Sequence, residues 1–463
     1  MPIPQALLDS LQDTTGFQEE SFLSIHNQAS PPTSIRLNPF KPCPEAWYNE
    51  ASNEAIPWSA FGHYLPERPI FTFDPLFHAG TYYVQEASSM FVEYILRNTV
   101  KLNQDLKVLD LCAAPGGKST LIASLLTPDS ILLSNEVIRS RANILVDNLT
   151  KWGCLNTYVC NNDPKDIGQR LAGYFDVLVV DAPCSGSGLF RKDPEATEEW
   201  SPENVVLCYQ RQQRILADAW DCLKEDGILI YSTCSYSESE NEDICDWICT
   251  EFDVKNCVLP DEELLTSWGI TPSKSKTHQA TGYRFYPDKV KGEGFFIAAF
   301  KKTKNEYLAV KTPRVKPQPN KNRRTETAIF SKWINDLEKY VWFLKNDDYY
   351  LFNPKHENDI KLFQLNLYVR KAGVLLGQIA GNDLVPDHEL AMSPLLKESI
   401  HRHELSKTEA IAYLRRDDLV LENPTKGWSL MTYQDKALGW AKVLPTRVNN
   451  YYPKELRILK QPS

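Results

Sequence analysis

The chain has 463 residues, 42% of them hydrophobic and 11% aromatic, with a formal net charge of −9. That length exceeds one ordinary core and implies roughly two to four domains. No apolar run reaches membrane-spanning length, the opening MPIPQALLDSLQDTTGFQEE lacks the basic start and apolar stretch of a signal peptide, and eleven cysteines without a CxxC pair exclude a disulfide scaffold and structural zinc. A monomer in a reducing cytoplasm is the expectation, with no metal.

Residues 1–103 read as an N-terminal α+β extension, with a short helix at PQALLDSLQDT and a strand at TSIRLNPF. From Lys107 the pattern becomes regular. KVLDLCAA is a buried strand, followed by a glycine turn and a helix in STLIASLL. SILLSNE is a second strand, SRANILVDNLTKWG a helix ending at Gly153, and NTYVCNND a third strand. FDVLVVDAP and DGILIYSTCS are the fourth and fifth. Between them runs a long helix, VVLCYQRQQRILADAWDCL, capped by Ser201 with Pro202 in its first turn. Strands alternating with helices imply a parallel sheet with right-handed crossovers, a Rossmann-like α/β core over 104–300. RFYPDKV and GEGFFIAAF read as extra strands closing that sheet.

Residues 301–325 are Pro-rich and basic, a linker. Lys301 to Arg324 carries nine Lys/Arg and one acid, +8, which leaves −17 for the remainder. It reads first as a solvated linker, yet it is also the best electrostatic handle for a phosphate backbone. Residues 326–385 form a small α+β domain, helical over ETAIFSKWINDLEKYV, with strands in DYYLFNP and LYVRKAGVLLGQIA. Residues 386–463 form a second lobe, with strands in GWSLMTYQDKALGWAKVL.

The first glycine turn, Cys112-Ala113-Ala114-Pro115-Gly116-Gly117-Lys118-Ser119-Thr120, superficially resembles a nucleotide-triphosphate loop. That loop needs a glycine at position 112, where this chain has Cys112. A dinucleotide fingerprint, GxGxxG, is also absent. In a doubly wound sheet the turn still lies where ligands bind, beyond a strand's carboxyl end. Two glycines let the backbone approach a ligand, and the following helix offers free N–H groups. Glu136, ending the second strand, can hold two ribose hydroxyls. Asp163, ending the third, can meet an adenine edge. An adenosine with a small carboxylate tail fits these parts, as in S-adenosylmethionine.

Strand four ends Asp181-Ala182-Pro183-Cys184-Ser185-Gly186, and strand five ends Thr233-Cys234-Ser235-Tyr236. A cysteine is ordinarily a small buried hydrophobe, and Cys208, Cys222, Cys245 and Cys249 read that way. Cys184 and Cys234 instead end neighbouring strands and face one crevice with Asp181. Two sulfurs, a carboxylate and a methyl donor suit methylation of cytosine carbon 5. That carbon is a poor nucleophile until a thiolate adds to carbon 6, and a base must later take the carbon 5 proton. Asp181 can hydrogen-bond or protonate N3.

CAAPGGK, DAPCSGSG and STCSY resemble, in order, the motifs of the RNA cytosine-C5 methyltransferases of the NOL1/NOP2/Sun family. FHAGTYYVQEASSM and SIRLNPF are similar to that family's preceding segments. The resemblance implies S-adenosylmethionine as cofactor, bound by Cys112 to Lys118, Glu136, Asp163 and Asp181. It implies Cys234 as nucleophile and Cys184 as the group assisting release, with Asp181 serving both ends. DNA cytosine methyltransferases attack with the cysteine of their Pro-Cys motif, so only the family argument makes Cys234 the attacker. The chain departs from the family at Pro287-Asp288, where Pro-His is common.

Residues 427–458 resemble the PUA-like terminal domain of bacterial 16S ribosomal RNA cytosine methyltransferases. Lys442, Arg447, Tyr451 and Tyr452 suit RNA backbone and stacked bases. A solvated rim over a core of Trp428, Leu430, Trp440 and Val443 is the other reading. Arg191 and Lys192, after the SGSG turn, are expected to meet RNA near the target. The cytosine must leave its stack to reach Cys234, so a loop or junction is the cheaper target. The expected partner is RNA, 16S rRNA or the 30S subunit, and neither DNA nor a membrane. Transfer RNA is the alternative substrate. A non-catalytic assembly factor and a small-molecule methyltransferase are readings from other classes, which the paired cysteines and the added basic and terminal segments argue against.

Overall fold

The computed structural model describes residues 3–27, 31–44, 54–193, 195–304, 310–311, 323–422 and 424–461. Arg314, Lys316 and Lys321 of the basic linker lie outside them.

The N-terminal extension carries β1 (Thr33–Leu37), β2 (Glu54–Ala55), β3 (Gly62–Leu65) and β4 (Tyr82–Val84), an antiparallel sheet ordered β2-β3-β1-β4. Buried Arg36 joins it to the central unit. Its Nε donates to Gln85 at 2.9 Å, its Nη2 to the Gly117 carbonyl at 3.2 Å and Thr120 Oγ1 at 2.6 Å, and its guanidinium lies over Trp152. An alanine here would strand buried acceptors at the start of the glycine-loop helix.

The central sheet is built on β5 (Lys107–Asp110), β6 (Ile131–Asn135), β7 (Thr157–Cys160), β8 (Phe175–Asp181) and β9 (Leu223–Thr233). These five are parallel, ordered β7-β6-β5-β8-β9. Leu109, Leu133, Leu178 and Leu229 are fully buried between helices on both faces, which is why these strands read as continuous apolar runs. The chain winds from β5 to β7 one way and to β8 and β9 the other, so the topological switch falls between β5 and β8. The 202–219 helix starts as its sequence dictates, with Ser201 Oγ accepting from Asn204 N at 3.1 Å. It packs closely on the 164–170 helix at Gly168, where a Cβ would lie 2.0 Å from the Asp218 carbonyl. Antiparallel strands complete the β9 side: β10 (Val254–Asn256), β11 (Thr271–Lys274), β12 (Thr281–Phe285) and β13 (Phe295–Lys302), with β13 against β9.

The C-terminal half differs from its sequence pattern in two respects. The segment read as one long helix is α-helical only over Arg323–Phe330, with a separate 3₁₀ turn at Leu337–Lys339. Beyond it Ile334 bridges Leu396 and Asn335 N donates to the Leu395 carbonyl, so tertiary pairing captures the backbone and Asp336 turns away at φ +49°. Of β14 (Val341–Lys345), β15 (Asp348–Phe352), β16 (Val369–Ala372), β17 (Val374–Ala380) and β18 (Asp383–Pro386), four form their own sheet, ordered β14-β15-β17-β18. β16 leaves them and pairs antiparallel with β7, extending the central sheet. Asp359 fixes this docking, accepting from Lys107 Nζ at 2.7 Å and Tyr174 OH at 2.6 Å. The last sheet, β19 (Arg402–Glu404), β20 (Gly427–Tyr433), β21 (Lys436–Leu444) and β22 (Arg447–Asn450), shares a core with Ala79 of the N-terminal extension. Among the described residues no helix is long and apolar enough to cross a membrane.

Candidate active site

The carboxyl ends of β5 to β9 line one crevice. After β5, Gly116 takes φ +114°, which glycine adopts without strain, and Gly117 starts the 117–125 helix. Asn148 Nδ2 holds the Pro115 carbonyl at 2.8 Å, and Arg141 Nη2 holds that of Ala114 at 2.9 Å. At the end of β6, Glu136 is buried. Its Oε1 accepts from Ile138 N at 2.9 Å, and its Oε2 lies 3.5 Å from Arg141. Val137 and Ile138 beside it are about half exposed, two apolar side chains left uncovered at the crevice rim. Asp163 caps the 164–170 helix from an exposed position after β7. The neighbouring Asn162 bonds Tyr368 N at 2.8 Å, so β16 stiffens this strand end.

Asp110, at the end of β5, is fully buried and receives Ser119 Oγ at 2.6 Å on one oxygen, while the other has no partner. Burial pushes its carboxyl up to about 7, with the Ser119 bond and Lys118 opposing and Asp181 adding to the rise. A carboxyl raised in the folded state favours folding when protonated. Its penalty is absent below about pH 4 and grows as pH rises toward 7. Asp110→Asn is therefore expected to gain urea stability over wild type as pH rises from about 4 to about 7, by roughly 1.4 kcal/mol per pH unit at most. An equal difference between the two proteins at both ends of that range would contradict it.

Cys184 and Cys234, fifty positions apart, meet with their sulfurs 3.1 Å from each other. Contact with the Cys234 sulfur, then burial, holds the Cys184 thiol well above its ordinary range, so Cys184 keeps its proton. Lys118 Nζ is 2.8 Å from Asp181 Oδ2, and Ser232 Oγ donates to Asp181 Oδ1 at 2.8 Å. Burial opposes the charge on Lys118, but Asp181, Asp110 and Cys234 outweigh it and raise its pKa. An ammonium thus stands among one carboxylate, the glycine loop and the sulfur at 234. Asp181 remains about one-third exposed and can reach a ligand.

Two further residues frame the sulfurs. Glu240 sits in the acidic run SESENED and is fully buried. It accepts from Ser185 N at 2.8 Å, Ser185 Oγ at 2.5 Å, Ser235 Oγ at 2.6 Å and Gln212 Nε2 at 3.3 Å. Asn241 accepts from Thr233 Oγ1 at 2.6 Å and donates to the Ser235 carbonyl at 2.9 Å. The one sequence signal for Glu240 and Asn241 is their position a few residues beyond Cys234.

Two expected RNA contacts face inward. Arg191 has a side chain only 7% exposed, 3.4 Å from buried Glu293, whose need for a counter-charge draws it in. Tyr452 is 3% exposed and packs edge-on against Tyr413 and His388 in the terminal domain's core. Lys192, Arg447 and Tyr451 are exposed, and Lys442 lies over Trp428 beside Tyr451. Asp288, after Pro287, accepts from Ser21 Oγ at 2.6 Å and ties down the N-terminal helices.

Three family models match the chain: the N-terminal domain of 16S rRNA methyltransferase RsmF over residues 3–87, 16S rRNA methyltransferase RsmB/F over 97–301, and the methyltransferase RsmF PUA domain over 400–458. Among solved structures, a methyltransferase homolog from Pyrococcus horikoshii is 27% identical with TM-score 0.51, over 65% of this chain and all of that one. NSun6 from the same organism, solved with SFG, shares the fold at 19% identity and TM-score 0.54, over 65% and 99% of the two chains. The ribosomal RNA small subunit methyltransferase F of Shewanella woodyi is 30% identical over 94% of this chain and 92% of its own length. That of Psychromonas ingrahamii is 31% identical over 98% and 97%. With a glycine loop, an acid at the ends of the next three strands and full-length similarity of this kind, the chain belongs to the ribosomal RNA small subunit methyltransferase F family.

Proposed function

We propose that this protein methylates carbon 5 of a cytosine in 16S rRNA, through a bond between the Cys234 sulfur and the pyrimidine ring. The contact of the Cys184 and Cys234 sulfurs at 3.1 Å, beside Asp181, is the observation that carries the reading.

The cofactor is S-adenosylmethionine, and the crevice fits it. Buried Glu136 retains an oxygen for a ribose diol, Val137 and Ile138 offer uncovered apolar surface to adenine, and the Gly116-Gly117 turn leaves room for the amino-acid tail. When bound, it supplies the methyl group that carbon 5 takes up. The protein's part is to prepare the pyrimidine. The Cys234 thiolate adds to carbon 6, and the ring's electrons move toward carbon 5 while Asp181 or its proton engages N3. Cys184 lies 3.1 Å from Cys234 and keeps its proton in the resting state. Cys184 then gives that proton to solvent and, as a thiolate, removes the carbon 5 proton while the carbon 6–sulfur bond breaks to release the Cys234 thiolate, N3 returning any proton it took to Asp181. Lys118, 2.8 Å from Asp181, places an ammonium beside the reacting groups.

Lys442, Arg447 and Tyr451 on the terminal sheet and Lys192 near the crevice contact the RNA. Purified 30S particles, naked 16S RNA and bulk transfer RNA, each given tritiated S-adenosylmethionine, test the reading. The label is expected as 5-methylcytosine in 16S rRNA. Label on transfer RNA alone, or on another base, removes it.

A further inference from the structure

We propose that Glu240 is the positioning residue that fixes the separation of the two reacting sulfurs, by bonding at once to the residue after Cys184 and the residue after Cys234. The inference rests on the covalent reading above.

The two cysteines come from separate strand ends, and no covalent link holds them at 3.1 Å. The loops that carry them need a common anchor. Glu240 Oε2 accepts from Ser185 Oγ and Ser235 Oγ, so one oxygen touches both loops. Oε1 accepts from Ser185 N and from Gln212 Nε2. Gln212 in turn donates to the Pro183 carbonyl at 3.1 Å, so Cys184 is held through the residues on both its sides. Asn241 does the same for Cys234 through Thr233 and Ser235. Tyr231 OH donates to the Glu240 carbonyl at 2.6 Å, which fixes the clamp itself to β9.

A carboxylate suits this place for a chemical reason. All four partners donate, and an ionised carboxylate accepts without donating. Glutamine keeps the shape but turns an NH₂ toward the two serine hydroxyls, both of which give their protons to position 240. Ser235 Oγ is already engaged as acceptor by Ser237 N at 3.1 Å. The amide therefore forces both hydroxyls to reverse from donor to acceptor, which weakens the bonds that join the loops while filling the same space. Glu240 is fully buried and acts through Ser185 and Ser235.

The test uses the full-length protein and a probe of sulfur geometry that needs no RNA. Phenylarsine oxide bonds two adjacent thiols through its arsenic, its oxygen leaving as water with both thiol protons. Wild type is expected to capture it, and Cys184→Ala and Cys234→Ala to lose that chelate. Glu240→Gln is expected to bind the arsenical at least about tenfold more weakly and to slow single-turnover methylation by about 10–100-fold, since misplacement near one ångström costs that order. Its melting temperature and S-adenosylmethionine affinity should stay close to wild type. Glu240→Ala should show the larger loss, but it strands buried donors and is read only on folded material. Glu240→Gln decides the matter: arsenical capture and methylation rate equal to wild type would overturn the proposal. Wild-type methylation by Cys234→Ala would instead remove the covalent reading, while arsenical capture would still report the brace.

Discussion

Cys234→Ala is expected to reduce methyl transfer to below about 10⁻² of wild type while S-adenosylmethionine binds unchanged. The physical reason is that carbon 5 of cytosine is made nucleophilic by sulfur addition at carbon 6, and alanine offers nothing that can add. The residues proposed to hold the cofactor lie elsewhere, on the glycine loop, Glu136 and Asp163, so their geometry survives. Position 234 is partly buried and its side chain is small, so the substitution leaves little cavity and the fold is expected to hold. The measurement is single-turnover transfer of tritiated methyl to 16S RNA, with cofactor affinity by calorimetry. Retention of more than about a hundredth of the wild-type rate would assign the attack to another group. The first group to examine would then be Cys184, which also borders the crevice.

Cys184→Ala has the opposite signature: accumulation rather than loss. With Cys234 intact the ring is attacked and methylated, but the second sulfur, 3.1 Å from Cys234 and proposed to take the carbon 5 proton, is missing. The sulfur–carbon bond then persists. A protein–RNA species of reduced mobility is expected on a denaturing gel, dependent on added S-adenosylmethionine, and absent from the double variant with Cys234→Ala. Its absence from the single variant would mean that Asp181 or solvent performs the release. The two substitutions together separate the roles in a way that no measurement of overall activity can, because both single variants are inactive in turnover.

The catalytic strands, the glycine turn and the long capped helix are legible in the amino-acid sequence because each rests on local chemistry. Apolar runs of strand length, Ser201 followed by Pro202, and glycines at a positive-φ turn are short-range signals, and β5 to β9 lie where they point. The alternation of strands and helices also places Cys184 and Cys234 at neighbouring strand ends, since a parallel sheet aligns the carboxyl ends of its strands. Side-chain direction is not legible in this way. Arg191 turns inward because Glu293, about 100 residues away, is buried and needs a charge partner, and Tyr452 because the terminal core needs its ring. Glu240 is hidden for the converse reason: an acidic run looks solvated until two serine loops, distant in the chain, close over it. β16 likewise leaves its own domain for the edge of β7, a pairing set by an unfilled sheet edge rather than by any pattern in its residues. Local periodicity and turn chemistry determine which elements form and which atoms end them. Long-range burial and charge pairing, which depend on what the finished fold brings together, decide where those atoms face.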